Sequence, residues 1–225
     1  MGTHKKVAAI RKTAQRHPAE DRHKIHRFLH GSVDVVVVAV SDGCTTNYMT
    51  HDPQYQPELG AVWLCRGFTI LAEALYREGL RGLALGKEIV KRLLADMRND
   101  CLLGRPDPSN LVATLLGFVV DDDELLLVIS GDGTVFKNAA SVVLPETDSY
   151  LVNSPDEFEV RVCNLRDIRS FVIATDGLSK SMQARVAKWS SEQTPDPDVL
   201  VDALAVIRPE KSSQDDVTVV ALSVR

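Results

Sequence analysis

Apolar and polar positions change their rhythm several times along the chain, and each change predicts an element. Residues 35–40 are six apolar positions in a row, mostly β-branched, which predicts a buried strand ending in Ser41-Asp42-Gly43. The pattern recurs at 171–174, before Thr175-Asp176-Gly177, and returns inverted where Asp215 and Asp216 precede an apolar run. From 58 to 80 the apolar residues fall at helical spacing, and a second helix is predicted over 83–99 with Ile89, Leu93 and Met97 on one face. Strands are predicted at 6–10, 111–120, 125–130, 134–137 and 217–224, with weaker ones at 142–144 and 158–162. Acidic and glycine-rich turns separate them at 121–124 and 131–133, and 179–189 and 197–207 have helical patterns. The rhythm fails over 11–30, a polar, basic stretch predicted to be a solvated surface. Consecutive long helices among antiparallel hairpins, without strict βαβ alternation, predict an α+β layered fold. Nothing marks an internal boundary, so residues 1–225 are expected to form one domain.

Composition narrows the class. Hydrophobic content of 44% with 25% charged residues fits a globular protein, and a net charge of −5 argues against a broad nucleic-acid footprint. Cys44, Cys65, Cys101 and Cys163 form no C-x-x-C pair and read as reduced thiols of a cytoplasmic protein. The N-terminus lacks a signal peptide's apolar run, and no apolar stretch reads as a membrane span. Five of the six histidines lie in the first thirty residues, at spacings that do not match a zinc site. The acidic run at 121–124 is expected to be a solvated hairpin tip, and Gly82–Lys87 lacks the length and the Ser or Thr of a phosphate loop.

Three buried strands thus deliver aspartates at their ends. Carboxylates crowd together when a hard cation offsets their repulsion, which outlines a magnesium or manganese site. Other templates are excluded by reading. No H-C-x5-R motif exists, because Cys163, which has Arg169 at the sixth position after it, follows Val162 rather than His. No G-x-S-x-G elbow exists, and neither a kinase set nor a dinucleotide glycine fingerprint is present.

The ordered set of Glu20-Asp21, Asp42-Gly43, Gly131-Asp132-Gly133, Thr175-Asp176-Gly177 and Asp215-Asp216-Val217-Thr218 resembles the motif series of the metal-dependent serine/threonine protein phosphatases, the type 2C class. The resemblance spans about residues 7–224 and is greatest to a divergent bacterial branch. It implies a four-layer αββα sandwich, two central mostly antiparallel sheets flanked by helix pairs, with two Mn2+ or Mg2+ ions at one end. It further implies hydrolysis of phosphoserine or phosphothreonine by a metal-activated water. Asp42 matches the bridging carboxylate, the carbonyl of Gly43 a ligand, Asp176 and Asp215 the other direct ligands, and Glu20 an acid contacting the metals, often through water. Arg16 matches the arginine that holds substrate phosphate, and Asp132 a chiefly structural position. A monomer is expected, acting on a phosphorylated protein, a serine/threonine kinase or its targets, with no nucleic-acid or membrane partner.

The chain departs from the family at three places. Cys44 stands where many members have a histidine proposed as general acid, leaving water or a loop residue such as His51 as proton donor. Asp107 and Asn110 are the candidates near a third-metal aspartate, and Lys180 replaces an acid used there, so a third site is expected to be weak or missing. The flap of many bacterial members would fall, short, within 144–164. These departures leave a second reading open, a catalytically weak phosphatase-like regulatory module that binds a phosphoprotein or partner. A small phosphate ester or nucleotide is a third.

Overall fold

The apolar run predicted at 35–40 is fully buried because a packed layer lies on each of its faces. In this computed structural model, which describes residues 3–13, 20–43, 58–102, 112–142, 144, 157–207 and 216–225, it is the centre of β3. The elements are β1 (Lys5–Lys12), β2 (Arg22–His30), β3 (Val33–Ser41), α1 (Glu58–Arg77), α2 (Gly82–Leu102), β4 (Leu115–Val120), β5 (Glu124–Ser130), β6 (Thr134–Lys137) and β7 (Ala140–Val142). There follow β8 (Glu159–Asn164), β9 (Ser170–Ala174), α3 (Lys180–Ser190), α4 (Pro197–Ala205) and β10 (Val217–Val224).

Two five-stranded antiparallel sheets result, ordered β1-β10-β9-β6-β7 and β2-β3-β4-β5-β8. Val35, Val37 and Ala39 point into the core shared with α1 and α2, whereas Val36, Val38 and Val40 point into the core between the sheets. A third core joins the first sheet to α3 and α4 through Val172, Ala174, Val219, Trp189 and Leu204. Period-2 alternation in the middle of four layers therefore reads as an unbroken apolar run. The predicted α+β sandwich with flanking helix pairs is what the chain forms.

Four expectations change. Residues 22–30 are not a structureless basic surface but the edge strand β2, paired residue for residue with β3 from Arg22 opposite Ser41 to His30 opposite Val33. The acidic hairpin tip is not simply solvated. Asp121 is buried, accepting from the Tyr76 hydroxyl at 2.8 Å and from the Asp123 and Glu124 amides at 2.9 Å each. Its neighbour Asp122 pairs at 2.6 Å with Lys5 Nζ, whose side chain is fully buried and also donates to the Asp34 carbonyl. By length and composition α1 is apolar enough to cross a bilayer, contrary to the sequence reading, but Leu64, Phe68, Ala72 and Leu75 are buried against the sheet. The segment expected to be a flap ends in β8, a strand paired with β5, while 145–156 lies outside the described residues.

Candidate active site

Four loop–strand junctions meet at one end of the sandwich. The first is the exit of β3. Asp42 donates its amide to Thr114 Oγ1 at 3.1 Å, and its carbonyl accepts the Thr114 amide at 2.9 Å. Ser41 Oγ donates to the Thr114 carbonyl, and Gly43 bridges Ala113. The backbone that carries the half-buried Asp42 carboxylate is thus clamped before the side chain makes any contact of its own. Gly131 braces the clamp from behind. It sits at φ +84°, and a Cβ there would lie 2.8 Å from Thr114 Cγ2.

The second junction is Glu20-Asp21, just before β2. Asp21 is fully buried. Its Oδ2 accepts from Thr175 Oγ1 at 2.7 Å, and the same hydroxyl accepts the Thr218 amide at 2.9 Å. The Glu20 amide donates to Asp216 Oδ2 at 2.8 Å. Burial, reinforced by the negative charge of Asp216, pushes the Asp21 carboxyl up from its ordinary value, against hydrogen bonds from the Asp42 carboxyl and the Thr175 hydroxyl that favour ionisation.

The third and fourth junctions are the exit of β9 and the entry of β10. Asp176 is exposed at the turn after β9, and Gly177 presses on the Asp216 backbone so closely that a Cβ would lie 2.0 Å from its carbonyl oxygen. The Gly131-Asp132-Gly133 turn carries the chain from the second sheet to the first at this same end, with Asp132 exposed.

The fold brings Glu20, Asp42, Gly43 and the Asp176 turn to one end, whereas Arg16, Cys44, His51, Asp107, Asn110 and Asp215 lie outside the described residues. Lys180 is the exposed first residue of α3. The sequence reading assigned no separate role to Asp21, Thr175 or Asp216. Their adjacency to the motif acids was visible, but which of them turn inward depends on the β9–β10 register. Among the described residues no three His, Cys, Asp or Glu side chains already stand close enough to hold a metal ion. The donor set nonetheless fits a hard divalent cation. It is all oxygen, Asp21 Oδ1 is buried without a hydrogen-bond partner, and two carboxyls, Asp21 and Asp42, bond to each other.

Thr175 is the link that can be tested directly. Thr175→Val leaves the Asp21 carboxyl and the Thr218 amide unpaired in a buried place, so the expected loss is about 2–3 kcal/mol of unfolding free energy. Thr175→Ser should recover most of it in the same urea titration, and equal losses from both variants would refute the hydroxyl's role.

The family profile described as protein phosphatase 2C matches residues 11–195. The chain belongs to that family, and is a metal-dependent serine/threonine protein phosphatase. A search of curated protein sequences finds no match. The fold is similar to that of RsbX in complex with magnesium, at 13% identity and TM-score 0.65 over 99% of this chain and 96% of that one. It is also similar to a bacterial serine phosphatase, at 13% identity and TM-score 0.69 over 99% and 98%. A third likeness is to the serine/threonine phosphatase Stp1 from Staphylococcus aureus, at 12% identity and TM-score 0.67 over 100% and 97%.

Proposed function

We propose that the chain removes phosphate from phosphoserine and phosphothreonine of protein substrates with two Mn2+ or Mg2+ ions held by Asp42, the Gly43 carbonyl, Asp176 and Asp215, with Glu20 reaching them through water. The observation that carries this reading is the gathering of Glu20, Asp21, Asp42 and the Asp176 turn at one end of the sandwich, with the buried Asp21 Oδ1 left unpartnered. Bound there, divalent cations supply positive charge and lower the pKa of water to near neutrality. The chain's own residues do the rest. Thr114 fixes the Asp42 backbone, Thr175 and Asp216 fix Glu20-Asp21, and Arg16 offers a planar fork to two phosphate oxygens. Because Cys44 replaces a family histidine, the leaving-group proton comes from solvent. The setting we infer is cytoplasmic, with a monomer opposing a serine/threonine kinase. A regulatory module without turnover is not favoured, because the acid set is complete in sequence.

The test combines turnover with binding. Manganese should support hydrolysis of an aryl phosphate and a phosphopeptide, and chelator should abolish both. Manganese should also raise the melting temperature of the wild type but not of Asp176→Asn, since an ion that binds the native state stabilises it. Arg16→Ala should raise KM for a phosphopeptide about tenfold, the effect of roughly 1.4 kcal/mol, while leaving the manganese-induced shift intact. Unaltered melting curves with manganese, together with chelator-resistant turnover, would refute the proposal.

A further inference from the structure

Residues 1–30 contain eight Lys or Arg and two Asp or Glu, in a chain whose net charge is −5. Seven of these cations, Lys5, Lys6, Arg11, Lys12, Arg22, Lys24 and Arg27, are carried by β1 and β2. β1 and β2 are edge strands of different sheets, and on their outer edges neither has a strand neighbour among the described residues. They lie side by side. Arg27 Nη2 donates to the Lys5 carbonyl at 2.7 Å, and toward the active end Arg11 Nη1 donates to the Asp21 carbonyl at 3.2 Å.

The register shows what lines this open side. Ile25 and Arg27 stand opposite Val38 and Val36, both of the core between the sheets, and Val7 of β1 packs on that same core. A cleft of about 490 Å3 opens at the Arg27 end, between His4, Lys6 and Val7 on one side and Ile25 and Arg27 on the other, with Arg225 beside them. Its apolar strip continues outward, because Ile25 is 39% and Leu29 65% exposed. Acids answer part of the charge. Lys6 pairs with Asp196 and Asp198 at 2.7 Å each, and Arg27 lies 3.6 Å from Asp34. Arg27 still keeps 49% of its side chain exposed.

Resting on the phosphatase reading above, we propose that this flank docks an extended acidic segment of the phosphoprotein substrate. The segment lies along the edge of β2, sets an apolar residue over Ile25 and Val7, and brings its carboxylates to Arg27 and the neighbouring cations. Edge strands accept such segments through their unpaired backbone groups. Complementary charge at a rim acts mainly on encounter and is weakened by salt. Because β2 runs away from Glu20-Asp21, the groove leads into the active end. Arg27 is six positions beyond Asp21, about 20 Å at strand rise, so the preferred acids lie roughly six residues from the phosphorylated one.

Phosphothreonine peptides with acidic or Asn/Gln residues at that separation test the idea with the full chain. At low salt the acidic peptide should show a KM about fivefold lower, and high salt should erase the difference. Arg27→Glu should erase it too, while aryl phosphate turnover stays at the wild-type level. Lys87→Glu with Arg98→Glu, exposed positions on α2, should change nothing. Should the charge-reversed variant fold poorly, Arg27→Gln and the salt series on the wild type supply the same comparison. The unphosphorylated acidic peptide should inhibit phosphopeptide hydrolysis but not aryl phosphate hydrolysis. Equal KM values for the two peptides at low salt, or a preference that survives the reversal, would overturn the groove. Tighter binding of single-stranded RNA than of the acidic peptide would overturn the choice of partner. Without aryl phosphate turnover the phosphatase reading itself fails, whereas direct binding of the acidic peptide, followed by anisotropy, still tests the groove.

Discussion

Asp42→Ala is expected to lower manganese-dependent turnover at least about a thousandfold, on aryl phosphate and phosphopeptide alike. The carboxylate stands at the end of the central strand, beside Asp21, where a shared cation would offset the repulsion of the acids. The fold should survive the change. The Asp42 backbone is held by bonds to Thr114 and by the Gly43–Ala113 bridge, which the change leaves in place, while the side-chain bond to Asp21 is lost. The melting temperature without manganese should therefore stay near wild type, and the manganese-induced rise should vanish. Asp42→Asn separates charge from shape, because it keeps the volume and a hydrogen-bonding head but loses the negative charge. Turnover within a few-fold of wild type in either variant would remove Asp42 from the site.

Gly177→Ala is the second large effect, and its cause is steric rather than chemical. A methyl group at this position would sit 2.0 Å from the Asp216 carbonyl oxygen and 2.9 Å from its carbon. The obstacle is backbone in the opposing strand entry, which cannot swing aside as a side chain can. The turn after β9 must shift away from β10, and Asp176 shifts with it. We expect a loss of about 3 kcal/mol, read as a fall in melting temperature of roughly 6–12 °C for a chain of this size. The manganese-induced shift should weaken in parallel. An alanine variant with wild-type stability and wild-type manganese response would show that the close approach does not hold in solution.

The parts of the fold legible in the sequence are those in which one physical demand dominates. The run at 35–40 reads as a strand because both faces of β3 are buried. The periods of α1 and α2 read as helices because one stripe of each packs on the sheet. By contrast, β2 was illegible. As an edge strand it carries Arg22, Lys24 and His26 on one face and His23 and Arg27 on the other, and only its pairing with β3 makes it regular. The acidic tip at 121–124 misled for a similar reason, because its partners Lys5 and Tyr76 are 117 and 45 positions away. In the site, strand-end position was enough to single out Asp42 and Asp176. Asp21 was not recognisable as the buried member of its pair, since Thr175 is 154 positions distant and meets it only through the β9–β10 register.

The division of strands between the sheets also sets the order in which this site can come into being. The sheet that carries Asp42 pairs strands that are mostly neighbours in the chain, β2 to β5, and needs only β8 to complete it. The other sheet places its earliest strand, β1, against its last, β10, with Lys5 opposite Val224. Contacts between residues so far apart in sequence are slow to form, and the loop they close is nearly the whole chain. During synthesis one half of the sandwich can therefore consolidate while β1 waits for its partner. Asp21 is held by Thr175, whose amide bonds the Thr218 carbonyl of β10, so its anchor arrives only with that last strand. A nascent chain interrupted before β10 would hold a formed Asp42 clamp without the strand that fixes the anchor of Asp21, so the acid cluster is completed only once β10 is in place.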